Sequence, residues 1–299
     1  MRLCNAGLAI WLALAVACGS CARAGPTSFS DLLARPRAEP TKQLAYGPAP
    51  EQFGQLWSSG GKGPHPVVVM IHGGCWLASL PGVELMAYVS EDLRRRGFAV
   101  WNIEYRRVGG AGGGYPGTFE DVGRAIDHLR VIASAENLDL RRVVLVGHSA
   151  GGHLALWAAA RHRLPKDDPL FSPNPLPIAG VVSLAGIDDL AAYRASGPDA
   201  CGGPDTIDQL VDAGRRGQDV YADTSPAALV PIGVRQAIVS GALDPIVPAR
   251  FGQAYTDKAR AAGDKVQVMD IPGAGHFELI DPTSKAWKRI EPAIEAMLK

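Results

Sequence analysis

The chain has 299 residues, and its 30 Lys and Arg residues balance 30 Asp and Glu residues, so the formal net charge is zero at pH 7. This balance excludes a typical nucleic-acid-binding protein, which carries clustered Lys and Arg against phosphates. Hydrophobic residues make up 47% and charged residues 20% of the chain, so it can bury a full core and is not disordered. After residue 24, no apolar run reaches the roughly 18 residues that a membrane-spanning helix needs, which excludes an integral membrane protein.

The first 24 residues have the pattern of an export signal. A positively charged start precedes an apolar run over residues 8–17, and Ala22-Arg23-Ala24 has the small-x-small pattern of a cleavage site. The segment Leu14-Ala15-Val16-Ala17-Cys18 also resembles a bacterial lipobox, in which Cys18 would carry a lipid anchor. Cleavage after Ala24 and lipid anchoring at Cys18 are alternatives that the sequence leaves open. Both predict an exported protein, either periplasmic or secreted.

The remaining chain is predicted to form one domain. Residues 25–43 are rich in Pro and charge, and we expect a leader segment that contributes little to the core. From residue 44 to residue 299, short apolar runs alternate with helical patterns. The predicted strands are 53–57, 67–71, 98–103, 143–146, 180–184, 236–240 and 266–271. The predicted helices are 87–95, 119–133, 150–161, 250–262 and 284–297.

This alternation predicts an α/β fold with a doubly wound, mostly parallel sheet. The stretch from about residue 188 to residue 227 departs from the pattern because it is polar, Gly-rich and weakly periodic. An insertion of this length between two strands is typical of a cap or of binding loops. We therefore predict a cap over this stretch.

Two cysteines remain after cleavage at Ala24, namely Cys75 and Cys201. An even number of cysteines in an oxidising compartment favours a disulfide between them. Two free thiols are the alternative, because the distance between the two residues cannot be inferred from the sequence.

A candidate nucleophile lies in the segment Gly147-His148-Ser149-Ala150-Gly151, which matches the pattern Gly-x-Ser-x-Gly. The segment follows the predicted strand 143–146 and begins the predicted helix 150–161. So tight a strand-to-helix turn needs small neighbours, and it exposes the hydroxyl group of Ser149 beside a helix N-terminus that stabilises developing negative charge. A glycine-rich turn without chemistry is the alternative interpretation.

A serine nucleophile needs a general base, and enzymes with this motif carry the triad in the order Ser, Asp or Glu, His. Of the seven histidines, only His276 lies near the C-terminus, in a Gly-rich loop after the predicted strand 266–271. Asp244 follows the preceding strand and is predicted to orient His276. Asp188 and Asp189, one strand earlier, are competing candidates whose presence helix capping explains equally well.

The segment His72-Gly73-Gly74-Cys75-Trp76 directly follows the predicted strand 67–71. Paired glycines at the end of a strand leave backbone N–H groups unshielded. We expect these groups, together with the N–H of Ala150, to bind the oxyanion of an acyl-transfer reaction.

These motifs resemble those of the α/β-hydrolases. The segment His-Gly-Gly-x-Trp is similar to the corresponding motif of one branch, which contains carboxylesterases, bacterial feruloyl-esterase-like proteins and kynurenine-formamidase-like enzymes. The resemblance spans about residue 44 to the C-terminus. The hormone-sensitive-lipase pattern has a third Gly where this chain has Cys75, so that branch fits less well. The resemblance implies Ser149 as nucleophile, His276 as base and Asp244 as its orienting acid. It also implies the backbone N–H groups of Gly74, Cys75 and Ala150 as oxyanion donors. We further predict that Trp76 and His148 contact the substrate.

The sequence therefore predicts a serine hydrolase that cleaves a small-molecule carboxylic ester through an acyl-serine intermediate. The alternatives are an arylformamidase and a catalytically silent hydrolase-fold binding protein. No metal-ligand spacing and no phosphate-binding glycine loop before a Lys is present, so we predict neither a metal nor a cofactor.

Overall fold

The computed structural model describes residues 26–217 and 219–299. The predicted export segment, with the cleavage site after Ala24 and the alternative lipidation site at Cys18, lies outside the described residues. Within those two ranges, no helix is long and apolar enough to cross a membrane.

Runs of Val, Ile and Leu form the centre of a sheet, because such side chains pack well on both faces of a buried strand. The described residues form eight strands: β1 (Lys42–Ala45), β2 (Phe53–Trp57), β3 (His65–Ile71), β4 (Ala99–Ile103), β5 (Leu138–His148), β6 (Gly180–Leu184), β7 (Arg235–Gly241) and β8 (Val266–Ile271). Their order across the sheet is β1-β2-β4-β3-β5-β6-β7-β8. Strand β2 pairs antiparallel with β1 and with β4, and all the other pairs are parallel. The predicted mostly parallel α/β fold is confirmed.

Helices connect most of these strands and pack on the sheet. They are α1 (Phe29–Leu33), α2 (Ala87–Arg95), α3 (Gly117–Asp127), α4 (Leu129–Ile132), α5 (Ala150–Ala160), α6 (Leu190–Ser196), α7 (Gly203–Leu210), α8 (Ala213–Arg216), α9 (Ala249–Ala261) and α10 (Trp287–Met297). Helix α5 is buried along its whole length and packs against β5 and β6. The helix predicted over 119–133 is divided into α3 and α4 at His128.

Leu32 is the one buried residue among the described residues of the predicted leader segment, residues 25–43. Helix α1 buries the side chain of Leu32 completely, and the carbonyl of Leu32 accepts a hydrogen bond of 2.7 Å from the hydroxyl of Tyr88. Ser28 caps the helix in a reciprocal pair with Asp31. A helix of five residues is too short to produce a periodic pattern, so its packing had no signal in the sequence.

The stretch predicted as a cap forms three helices, α6, α7 and α8, between β6 and β7. Leu190, Ile207 and Leu210 are among its buried apolar residues. The Sγ atoms of Cys75 and Cys201 are bonded, and their Cα atoms are 5.2 Å apart. The disulfide ties this helical insertion to the loop after β3.

Candidate active site

Ser149 lies in the turn between β5 and α5, with φ 57° and ψ −123°. This strained conformation leaves no room for side chains on either side. A Cβ at Gly147 would lie 1.9 Å from the carbonyl oxygen of Gly151, and a Cβ at Gly151 would lie 2.1 Å from that of Ile71. The N–H of Ser149 donates to the carbonyl of Leu184 at 2.8 Å, which fixes the turn against β6. Strain of this kind in a buried turn is typical of a functional site.

His276 and Asp244 form a buried pair beside this turn. Strands β7 and β8 are parallel neighbours, and their last residues Gly241 and Ile271 lie side by side, so the loops that follow meet at one edge of the sheet. Nδ1 of His276 lies 2.6 Å from Oδ2 of Asp244. A carboxylate only accepts hydrogen bonds, so Nδ1 carries the proton and Nε2 keeps a lone pair that can accept a proton.

The carboxylate of Asp244 is itself held in place. Its Oδ1 accepts from the backbone N–H groups of Ile246 at 2.8 Å and Val247 at 2.9 Å. These bonds fix the acid and leave Oδ2 for His276.

The competing carboxylates bind elsewhere. Asp188 accepts from the hydroxyl of Ser183 at 2.7 Å, and Asp189 caps α6 by accepting from the N–H of Ala192 at 3.1 Å. Burial, aided by the nearby charge of Asp189, raises the pKa of Asp188 to about 7 against the hydrogen bond from Ser183.

The loop after β3 presents backbone N–H groups to the same place. Ile71 at the end of β3 pairs with Gly147 in β5, so this loop begins beside the turn that holds Ser149. Gly74, Cys75 and Trp76 have φ values of 97°, 52° and 57° in succession. Among the described residues, no backbone carbonyl accepts from the N–H of Gly74 or Cys75.

The N–H of Ala150 is a third donor of this kind. Ala150 is the first residue of α5, so its N–H has no partner within the helix. The N–H groups of Gly74, Cys75 and Ala150 can therefore bind an oxyanion, as the sequence predicts.

Residues 72–77 carry the candidate oxyanion donors Gly74 and Cys75 and are here called the oxyanion loop. A polar network that the sequence did not reveal supports this loop. Nε2 of His72 lies 2.9 Å from Oε1 of Glu104, and the ring of His72 stacks on Tyr105 with centroids 4.3 Å apart. The hydroxyl of Tyr105 donates to the carbonyl of His72 at 2.8 Å, and Arg107 donates to that of Leu77 at 3.2 Å. Burial favours the neutral form of Glu104, but the interaction with His72, together with Arg107 and the N–H of Tyr105, outweighs it and lowers the pKa of Glu104.

A cavity of about 210 Å³ lies over the nucleophile. It is lined by Phe29, Gly74, Cys75, Leu80, Leu85, His148, Ser149, Ala200, Ile246, His276 and Phe277. None of these side chains is acidic, and apart from the two histidines none is basic. The apolar lining residues come from segments far apart in the chain, which is why sequence reasoning missed them.

The prediction that Trp76 contacts the substrate is wrong. Its side chain is fully buried beneath the oxyanion loop and does not line the cavity. Its indole N–H donates to Nδ1 of His153 at 3.2 Å. The indole also packs edge-on against the ring of His153, with centroids 5.3 Å apart, which places it in the core.

His148 lines the cavity, and its ring also contacts His276. Its Nε2 lies 3.0 Å from the backbone carbonyl of His276. Burial is the main cause that lowers the pKa of His148 well below its usual range, and the charge of His276 acts in the same direction. In the described part of the chain, no group of three or more His, Cys, Asp or Glu side chains is arranged to hold a metal ion.

The family model BD-FAE matches residues 56–258, more than half of the chain. The chain belongs to the BD-FAE family. BD-FAE is an α/β-hydrolase-like esterase family, so the protein is an esterase-type hydrolase. The matched range includes Ser149 and Asp244 but ends before His276, whose assignment depends on geometry.

Solved structures share the fold of this BD-FAE protein. A truncated carbohydrate esterase from gut microbiota is 20% identical with a TM-score of 0.71, covering 92% of this chain and 99% of that one. Esterase B from Lactobacillus rhamnosis is 18% identical with a TM-score of 0.71 and 88% coverage of both chains. An acetyl ester-xyloside bifunctional hydrolase from Caldicellulosiruptor lactoaceticus is 17% identical with a TM-score of 0.68, covering 87% of this chain and 96% of that one. No curated protein matches the chain significantly.

Proposed function

We propose that this protein is a serine esterase that hydrolyses small, uncharged carboxylic esters through an acyl-serine intermediate. One observation carries the proposal. Ser149, His276, Gly74 and Cys75 all line one apolar cavity; Ser149 has a strained backbone, His276 is bonded to Asp244, and the N–H groups of Gly74 and Cys75 have no backbone acceptor among the described residues.

The reaction proceeds in two half-reactions. Oγ of Ser149 attacks the ester carbonyl carbon while Nε2 of His276 takes its proton, and the resulting oxyanion accepts hydrogen bonds from backbone N–H groups. As the tetrahedral intermediate collapses, the C–O bond to the alcohol breaks and His276 returns the proton to the leaving oxygen. A water molecule then attacks the acyl-serine with His276 as base, which releases the carboxylic acid and restores Ser149.

The cavity supports a short, uncharged acyl group. Its volume is about 210 Å³, and it has no ionised Lys, Arg, Asp or Glu to pair with a charged substrate. Burying an unpaired charge there would cost several kcal/mol, on the order of its desolvation. The carbohydrate esterase and the acetyl ester-xyloside hydrolase that share the fold support acetyl esters as the first substrates to test.

We also propose that the protein works outside the cytoplasm. The disulfide between Cys75 and Cys201 supports an oxidising compartment, in agreement with the export signal predicted over residues 1–24. Whether cleavage follows Ala24 or a lipid is attached at Cys18 can be tested by mass spectrometry of the exported protein.

Hydrolysis of p-nitrophenyl esters, methyl ferulate and N-formylkynurenine by the wild type and by Ser149→Ala tests the proposal. We expect Ser149→Ala to lower kcat by about 10³-fold or more with the fold unchanged. Ser196→Ala, at an exposed serine on α6, is the matched control and should leave kcat unchanged. A fluorophosphonate should label Ser149 alone.

Three outcomes contradict the proposal. Labelling at another serine would show that Ser149 is not the nucleophile. Hydrolysis of N-formylkynurenine without ester hydrolysis would favour an arylformamidase. Absence of both activity and labelling would favour a catalytically silent binding protein.

A further inference from the structure

The segment from Thr27 to Arg35, here called the N-terminal strap, is bonded to the loop that carries His276. The N–H of Thr27 donates to Oε1 of Glu278. Oε2 of the same carboxylate accepts from the N–H of Gly275 at 2.9 Å. One side chain, two residues after His276, therefore holds both the strap and the catalytic loop.

Two further contacts fix the strap at its other end. Arg35 forms an ion pair of 2.7 Å with the buried Asp281, which follows the short 3-10 helix Phe277–Ile280. Leu32 is fully buried, and its carbonyl accepts from Tyr88. With anchors on both sides, the residues of α1 have a defined position over the cavity.

Phe29 is the strap residue that lines the cavity with Ser149. Its ring packs against that of Phe277, with centroids 5.5 Å apart and planes tilted by 55°. Phe29 is half-buried, whereas Leu32 provides the core contact of the same helix. The side chain of Phe29 is therefore a wall of the cavity that can be removed while the anchors of the strap remain.

We infer that Phe29 is a specificity-determining residue: the N-terminal strap closes one side of the ester pocket and limits the length of the substrate group that fits there. This inference rests on the proposed esterase function. It assigns a role in substrate selection to a segment that lies before the range matched by the family model.

The test compares kcat/KM over two ester series, in the full-length protein. One series is p-nitrophenyl acetate, butyrate, hexanoate and octanoate, and the other is ethyl, butyl and hexyl acetate. In Phe29→Ala, we expect the ratio of kcat/KM for the longest ester to kcat/KM for the shortest to rise by about tenfold or more in one of the two series. The reason is that each methylene group accommodated in an apolar pocket changes the rate by roughly that factor. Phe29→Trp should shift the same ratio in the opposite direction.

Phe171→Ala is the matched control, because Phe171 is also half-buried but lines a separate surface cavity with Glu120 and Arg124. It should leave both length profiles unchanged.

If wild-type protein hydrolyses esters but both Phe29 variants keep its length profiles within about twofold, the inference is overturned and the proposed function stands. A change in Phe171→Ala equal to that in Phe29→Ala would also overturn the inference. A wild type without esterase activity overturns the proposed function and this inference together. If Phe29→Ala does not fold, the profile of Phe29→Trp decides.

Discussion

His148 donates a hydrogen bond from Nε2 to the backbone carbonyl of His276 across 3.0 Å, so the residue before Ser149 holds the loop that carries His276. The centroids of the His148 and His276 rings are 4.4 Å apart. A carbonyl only accepts, so Nε2 carries the proton and Nδ1 keeps a lone pair, which has no hydrogen-bond partner among the described residues. The lowered pKa of His148 is consistent with a neutral ring that does not compete with His276 for a proton.

This contact predicts that His148 is a positioning residue. In His148→Leu the carbonyl of His276 loses its donor, and we expect kcat to fall about 10- to 100-fold because small displacements of a catalytic group cost that much. KM should stay near the wild-type value. His148→Gln, whose amide can donate to the same carbonyl, should recover most of the lost kcat. Equal losses in the Leu and Gln variants would contradict the role.

The assignment of Asp244 as the orienting acid predicts different outcomes for two buried aspartates. Asp244→Asn should lower kcat by about 10⁴-fold, because an amide facing Nδ1 favours the wrong tautomer of His276. Asp188→Asn should leave kcat unchanged, because its carboxylate binds Ser183 instead. Steady-state kinetics on the two variants measures the difference, and a severe loss in Asp188→Asn alone would reverse the assignment.

Asp188 predicts a pH dependence of stability. Its pKa is raised from the ordinary 3.8 to about 7 in the folded state, so between these values the folded protein binds more protons than the unfolded chain. The resulting stabilisation is fully present below about pH 4 and is lost as the pH rises through 7. Asp188→Asn should therefore raise the free energy of unfolding at pH 8 by about 4 kcal/mol and change it little at pH 4.

Urea denaturation at the two pH values measures this difference. Asp167→Asn is the control, since Asp167 is exposed and forms no ion pair among the described residues, and it should have little effect at either pH. If Asp188→Asn were stabilised equally at pH 4 and at pH 8, the charge of Asp188 would not be the cause of the stabilisation.

The disulfide predicts a coupling between stability and catalysis. Cys75 belongs to the oxyanion loop, and Cys201 lies 126 residues later in the helical insertion. Closing a loop of this length stabilises the folded state by about 4–5 kcal/mol in the chain-entropy model. Reduction should lower both Tm and kcat, because it loosens the segment that carries two oxyanion donors.

The double variant Cys75→Ala and Cys201→Ala should behave like the reduced wild type. It retains the N–H groups, so its loss of kcat should come from mobility alone, and added reductant should not change it further. A reduced protein with wild-type kcat would show that the oxyanion loop does not depend on the disulfide.

The sequence alone was sufficient for seven of the eight described strands, all except β1, and for the candidate nucleophile, because these features leave local patterns. Apolar runs such as residues 67–71 identify buried strands, and the glycines around Ser149 mark a turn that only small residues can form. The order of Ser149, Asp244 and His276 along the chain predicted which residues belong together. None of these features depends on how distant segments pack.

Only the tertiary structure decided between Asp244 and Asp188, since each follows a strand. The parallel pairing of β7 with β8 brings Asp244 to His276, whereas the carboxylate of Asp188 bonds to Ser183. It also decided that the side chain of Trp76 is buried in the core, and that Phe29 reaches Phe277 across almost the whole chain. Contacts of this kind form because the assembled sheet and its loops bury them together, and neither helical nor strand periodicity records which distant partner a side chain meets.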